Sequence, residues 1–341
     1  MKKSCFALMT AALALTSCTN SEVIDESGYN ASSAIGFNTL VSKNSRAIDN
    51  NNFSKFFVFG TYTVPTASSL ITVFDGTEVV KNGDAWEYSD TRFWVPGATY
   101  TFAAYGIDGT ALPEGCRANL GSNDGILNIN SFLSDGNNQH DLVYAKTSTI
   151  QGHESGNKVV SFEFGHILSR LNFVFKSGFP AGFDVKVSNV RLHNARNIGN
   201  FNGETLAWEN VDRTATNTDI NPDFNGATVV KAANGTDEAV TITSKWVYVL
   251  PFTYTAKNVD IIFDIDVTNN GAAVLGKKGL KGTWEPKWEK NHGYTYTITI
   301  NGDAAGLEPI EFAGTVTDWE TGTPQVPEFN LSGGEVPSEQ P

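Results

Sequence analysis

Residues 98–107 read Ala-Thr-Tyr-Thr-Phe-Ala-Ala-Tyr-Gly-Ile, and they follow a Pro96-Gly97 turn. In an extended chain successive side chains point to opposite faces. Tyr100, Phe102 and Ala104 then share one face, and Thr101, Ala103 and Tyr105 share the other. The same twofold period returns in Phe183–Asn194, where Val185, Val187 and Leu192 are separated by Lys186, Ser188 and Arg191. No 3.6-residue period persists over a dozen residues anywhere in the chain. The chain is therefore predicted to be all-β.

Working outward, the strand signals fall into two sets. The first runs from Phe53–Val64 through Ser69–Phe74, Thr77–Val80, Trp86–Trp94, Ala98–Ile107, Asp141–Thr147 and Lys158–Phe164. Asp75-Gly76 is predicted as a turn and Asn82-Gly83 as a hairpin. Residues 108–140 are loop-rich, with a short strand near Ile126–Ile129. The second set begins at His166–Phe175 and continues through Phe183–Asn194, Ala239–Ile242, Trp246–Phe252, Val259–Thr268, His292–Asn301 and Ile310–Asp318. Residues 196–238 are polar and expected to be irregular, interrupted near Phe201–Trp208. A length of 341 residues, with 32 Gly and 22 Phe, suits two β-sandwich domains in series, with the boundary near residues 165–180.

The first eighteen residues have a different character. Lys2 and Lys3 precede an apolar run from Cys5 to Leu15, which is too short to span a bilayer. Leu15-Thr16-Ser17-Cys18 has the form of a lipobox, a large residue and two small ones before a cysteine. Residues 1–18 are therefore predicted to be a lipoprotein signal peptide, with Cys18 as the lipidated residue. Two or three acyl chains would anchor the protein without a transmembrane helix. The formal charge is −13, and losing Lys2 and Lys3 with the signal leaves −15. Such acidity argues against a nucleic-acid partner. Cys116 is then the one remaining cysteine, with no disulfide partner and no assignable base.

Groups that could carry chemistry each have a plainer reading. Asp260, Asp264 and Asp266 share one strand face, which suits a solvated surface better than a glycosidase acid and base. Asn221–Gly226 partly echoes a calcium loop, but Ala232 stands where a bidentate Glu is expected. The five histidines have no metal-ligand spacing. Neither a metal nor a cofactor is predicted, and no enzyme. Trp284 and Trp288 flank a Pro turn and form a candidate glycan platform.

Taken in order, the lipobox, Arg46, FFVFGTY, RFWVPGATYTFAAYGI, HDLVYAKT, FEFGHILSRLNFVF, WVYVLPF and VTDWE resemble the fimbrillin family of type V pilins. The resemblance implies two transthyretin-like β-sandwich domains in tandem. Residues 19–46 would be the lipid tether and N-terminal pro-segment, 47–168 the first domain, 169–322 the second and 323–341 a flexible tail. It also implies a lipid-anchored precursor in the outer membrane, an arginine-specific cut and a fimbrium at the cell surface serving adhesion. The cut is expected between Arg46 and Ala47, in a polar, Asn-rich loop. The strand before it, with Ile35, Phe37 and Leu40 toward the core, would depart, and the C-terminal segment of another pilin subunit would take its place. Ile310–Trp319 and Val326–Leu331 are both candidate donors. The competing expectation is a non-polymerising surface lipoprotein that binds host or bacterial glycans.

Overall fold

The computed structural model describes residues 34–41, 48–152, 159–214, 219–224, 229–231, 242–255, 259–303, 306–307, 310–318 and 330–331. These residues are all-β and contain no helix. In the first half the strands are β1 (Gly36–Val41), β2 (Lys55–Val64), β3 (Ala67–Asn82), β4 (Ala85–Glu87), β5 (Thr99–Ile107), β6 (Arg117–Leu120), β7 (Leu127–Leu133), β8 (Leu142–Lys146), β9 (Ile150–Gln151) and β10 (Val159–His166).

Eight of them form one sheet in the order β1-β10-β8-β5-β2-β3-β4, with β9 added to β5. Only the β1–β10 pair is parallel. The sheet curls until its ends meet. Ala34 bridges Phe93, and the Ile35 N–H donates to the Arg92 carbonyl at 2.9 Å.

The central strands β2, β5 and β8 are covered on both faces, which explains their near-continuous apolar sequences, whereas β1 and β10 alternate between core and solvent. The inner face holds Phe37, Phe56, Val58, Tyr100, Phe102, Ala104, Phe162 and Phe164. The outer face presents Phe59, Ala103, Tyr105 and Tyr144 to Leu127, Ile129, Phe132 and Phe201. The two faces read from residues 98–107 are thus the two walls of two cores.

The second half contributes β11 (Ser169–Ser177), β12 (Phe183–His193), β13 (Ile198–Asn202), β14 (Ala207–Asp212), β15 (Val229–Lys231), β16 (Ile242–Thr243), β17 (Val247–Val249), β18 (Phe252–Thr253), β19 (Val259–Asn269), β20 (Ala272–Trp284), β21 (Lys287–Trp288), β22 (His292–Ile300), β23 (Gly302–Asp303), β24 (Gly306–Leu307), β25 (Glu311–Asp318) and β26 (Asn330–Leu331). Two five-stranded sheets form here. One is ordered β16-β11-β22-β25 with β17 on β11, and the other β15-β12-β19-β20-β26. Their apolar faces share one core, including Phe173, Phe175, Val185, Val187, Phe263, Ile265 and Ile298.

The structure adds to or departs from the sequence reading at four places. Asp75-Gly76 is not a turn. β3 runs through it, and Gly76, at φ 74°, is the extra residue of a β-bulge between the pairs Val58–Thr77 and Phe59–Asp75. The segment 272–284, polar and rich in Gly and Lys, is a long strand. Pairing with β19 through an Asn270-Gly271 turn, both residues at positive φ, overrides its weak strand propensity. Within residues 196–238, the interruption expected near Phe201–Trp208 is a pair of strands, β13 and β14, that spans residues 198–212. Finally, the boundary at 168/169 is crossed by a four-stranded sheet, β14-β13-β7-β6, in which β13 pairs with β7 of the first half.

Candidate functional site

β1 forms one end of the curled sheet. Gly36–Val41 lie in parallel register with Val159–Phe164 of β10. Alternation along β1 sends Ile35, Phe37 and Val41 inward, at 1%, 6% and 1% exposure. Leu40, expected to face the core, is 54% exposed and points outward. The physical reason is parity. Phe37 sets the odd-numbered positions inward, so Val41 rather than Leu40 is the last core residue of the strand.

Phe37 is the centre of the site. Its ring meets Phe56, Phe74, Tyr88 and Phe102 edge-on at centroid distances of 5.9, 5.4, 5.5 and 6.5 Å, and it stacks on Phe162 at 5.9 Å. Burial of Ile35, Phe37 and Val41 together contributes about 5–9 kcal/mol. Without β1 the sheet would expose this aromatic floor and the open edge of β10.

Among the described residues, the outer edge of β1 meets single groups instead of a full strand. The Tyr88 hydroxyl donates to the Ile35 carbonyl at 2.7 Å. At the other end the Asn50 side chain brackets Val41. Its Oδ1 accepts from the Val41 N–H at 2.8 Å, and its Nδ2 donates to the Val41 carbonyl at 2.9 Å. Asn50 is held in a short braced turn. The Asp49 carboxylate accepts from the N–H groups of Asn51 and Asn52, and the Asp49 carbonyl accepts from the Phe53 N–H. Ile48 and Phe53 anchor that turn in the core beside β1. Arg46, Ala47 and Cys18 lie outside the described residues.

The other expected residues are placed differently. Trp284 and Trp288 are each 2% exposed and form part of the second core. Trp288 donates its indole N–H to the Tyr296 hydroxyl at 2.9 Å, and Trp284 meets the Tyr296 ring edge-on. Neither ring offers a face to a sugar, which corrects the glycan-platform expectation. Opposite β20, Asp260 is buried rather than solvated. It accepts from Thr283 at 2.6 Å and pairs with Lys281 at 2.9 Å. Asp264 accepts from Asn189 and from the Gly279 N–H. These carboxylates serve the β12–β19–β20 framework. In the loop considered for calcium, Asp223 is paired with Lys245, while Asn225 and Gly226 lie outside the described residues. Among the described residues no group of His, Cys, Asp and Glu could hold a metal ion. Burial pushes the Cys116 thiol up to about 12, which leaves it protonated and a poor nucleophile at neutral pH.

A polar junction escaped the sequence reading except for His166 itself. His166 and Asp141 form a fully buried pair, Nδ1 to carboxylate 3.0 Å. Asp108 accepts from the Asp141 N–H at 2.9 Å, and burial beside Asp141 raises its carboxyl above the usual range. From the second half, the Tyr248 carbonyl accepts from Ser134 and Gln139, and the Tyr248 N–H donates to Gln139. The segments HDLVYAKT and FEFGHILSRLNFVF are therefore brought together here by the β8–β10 pairing.

A sequence-family profile described as fimbrillin-like matches residues 45–319. The chain belongs to the fimbrillin-like family. No curated protein matches it. Among solved structures, a candidate cell adhesion protein from Bacteroides ovatus is similar at 14% identity and a TM-score of 0.47, over 86% of this chain and 100% of that one. A candidate cell adhesion protein from Bacteroides uniformis matches at 19% identity and 0.43, over 84% and 99%. A candidate adhesin from Bacteroides thetaiotaomicron matches at 9% and 0.42, over 87% and 97%. The fimbrillin-like match includes Arg46 and β25, while β1 precedes it.

Proposed function

We propose that this fimbrillin-like protein is a structural or accessory subunit of a surface fimbrium that joins its neighbours by exchanging β1. In this reading the precursor is exported as a lipoprotein through Cys18 and reaches the outer membrane. An arginine-specific protease cuts between Arg46 and Ala47, β1 leaves, and a strand from another subunit fills the trough. The observation that carries the reading is the enclosure of Phe37 by five aromatic rings on a strand that, among the described residues, only β10 pairs along its length. A vacated trough of that kind has both an apolar floor and unpaired backbone, and β-augmentation satisfies both.

The chain's own sequence favours one donor. Residues 35–41 read Ile-Gly-Phe-Asn-Thr-Leu-Val, and residues 310–316 read Ile-Glu-Phe-Ala-Gly-Thr-Val. The two agree at the first, third and seventh positions, the ones that β1 turns inward. Among the described residues β25 is also an edge strand, paired only with β22, and Phe312 is half-buried in its own domain. Val326–Leu331 lacks this pattern, and Pro327 removes a ladder donor.

The test is electron microscopy of the purified precursor after limited trypsin treatment, with the new N-terminus read by mass spectrometry. Rods whose subunits begin at Ala47 are expected. Protein cut at Arg46 that stays monomeric at high concentration would defeat the assembly reading. An Arg46→Ala precursor is expected to stay uncut at this site and to form no rods.

A further inference from the structure

We infer that Asn50 is a retained clamp for the strand seated in the β1 trough, so that cutting the chain does not by itself release β1. The inference rests on the reading of β1 as the departing strand. It concerns what holds β1 once its covalent link is gone.

Three observations carry it. First, Asn50 bonds only main-chain atoms of β1, both the N–H and the carbonyl of Val41, as a neighbouring strand would. An amide side chain can make this two-way contact because it carries a donor and an acceptor side by side. Second, Arg46 lies between Val41 and Asn50 in the sequence. A cut after Arg46 therefore leaves the clamp on the mature subunit and its target on the severed segment. Third, the clamp is braced independently of β1. The Asp49 carboxylate and carbonyl tie the turn 49–53, the Asn52 side chain accepts from the Asp49 N–H at 2.7 Å, and the Phe53 ring packs on Phe56, Trp86 and Phe164, none of them in β1.

A severed β1 thus keeps its ladder to β10, its three buried side chains and the Asn50 bracket. It leaves only when a competing strand displaces it. Because Asn50 recognises backbone alone, it would bracket the incoming strand at the same register. Asn50 is a positioning residue, setting how long the trough stays closed after processing.

The experiment uses the precursor with the recognition site of a second, unrelated endoprotease placed within residues 42–46, so that the result does not depend on Arg46. After complete cutting, loss of the fragment carrying residues 34–41 is followed by native mass spectrometry. The parent protein is expected to hold the fragment. Asn50→Ala is expected to release it on the order of tenfold faster, as two neutral hydrogen bonds are lost. Asn50→Asp, which keeps the acceptor but not the donor, is expected to fall between them. Asn51→Ala, in the same turn but without a side-chain bond to β1, is expected to match the parent. Equal release rates for the parent and Asn50→Ala overturn the clamp, as does equal acceleration by Asn51→Ala. If the graded series appears but no rods form with any donor strand, the clamp stands and strand exchange fails.

Discussion

Phe37 and Leu40 lie three residues apart on one strand and have opposite consequences. Phe37→Ala removes a ring enclosed by five others and is expected to cost about 3–5 kcal/mol in chemical denaturation. Leu40→Ser changes an outward side chain and is expected to stay within about 0.5 kcal/mol. The reverse outcome would place β1 in the other register. Ionisation adds a second residue-scale expectation. Burial pushes the Tyr105 and Tyr254 phenols and the Cys116 thiol up to about 12, from ordinary values of 10.0 and 9.0. The unfolded chain therefore gives up these protons first. Stability is full below about pH 9 and falls as the pH rises toward 12. Melting temperature against pH checks this, and a flat profile across pH 9–12 would contradict it.

At the scale of the element, β1 is separable in sequence but not in packing. A chain lacking residues 34–41 is expected to bind a hydrophobic dye strongly and to associate, because Phe56, Phe74, Phe102 and Phe162 lose their cover. A synthetic peptide of residues 310–318 is expected to suppress that dye binding, and its Phe312→Ser version to do so far less well. A peptide of residues 326–331 serves as the comparison. Equal suppression by both peptides would remove the argument for β25 as donor. β20 teaches the complementary lesson. Its Gly- and Lys-rich sequence has little strand character of its own, yet a two-residue turn and the edge of β19 suffice to form it, with two register shifts along the pair.

At the scale of the whole molecule, the two halves are joined by more than a linker. The sheet β14-β13-β7-β6 draws strands from both, Phe201 packs beside Tyr144, and the His166–Asp141 pair is sealed between them. A single cooperative unfolding transition is expected by calorimetry. Asp141→Ala leaves His166 buried without its carboxylate and is expected to lower that transition by about 1–3 kcal/mol. Two separated transitions in the parent protein would show that the halves fold independently.

The local period of the side chains determined the all-β class, because strand alternation is written in neighbouring residues and needs no distant partner. The two faces of residues 98–107, the core role of Phe37 and the Asn82-Gly83 hairpin were legible for that reason. Parity could have rescued Val41 from the error at Leu40, and Asn270-Gly271 could have announced β20. What only the tertiary structure decided is everything that depends on which surfaces meet. The tryptophans at 284 and 288 look like exposed platforms until Tyr296 packs against them. Asp260 looks solvated until Lys281 and Thr283 cover it, and nothing local in either half announces that β13 pairs with β7. Burial and pairing between residues far apart in sequence come from the summed fit of whole sheets, and no local stretch carries that information.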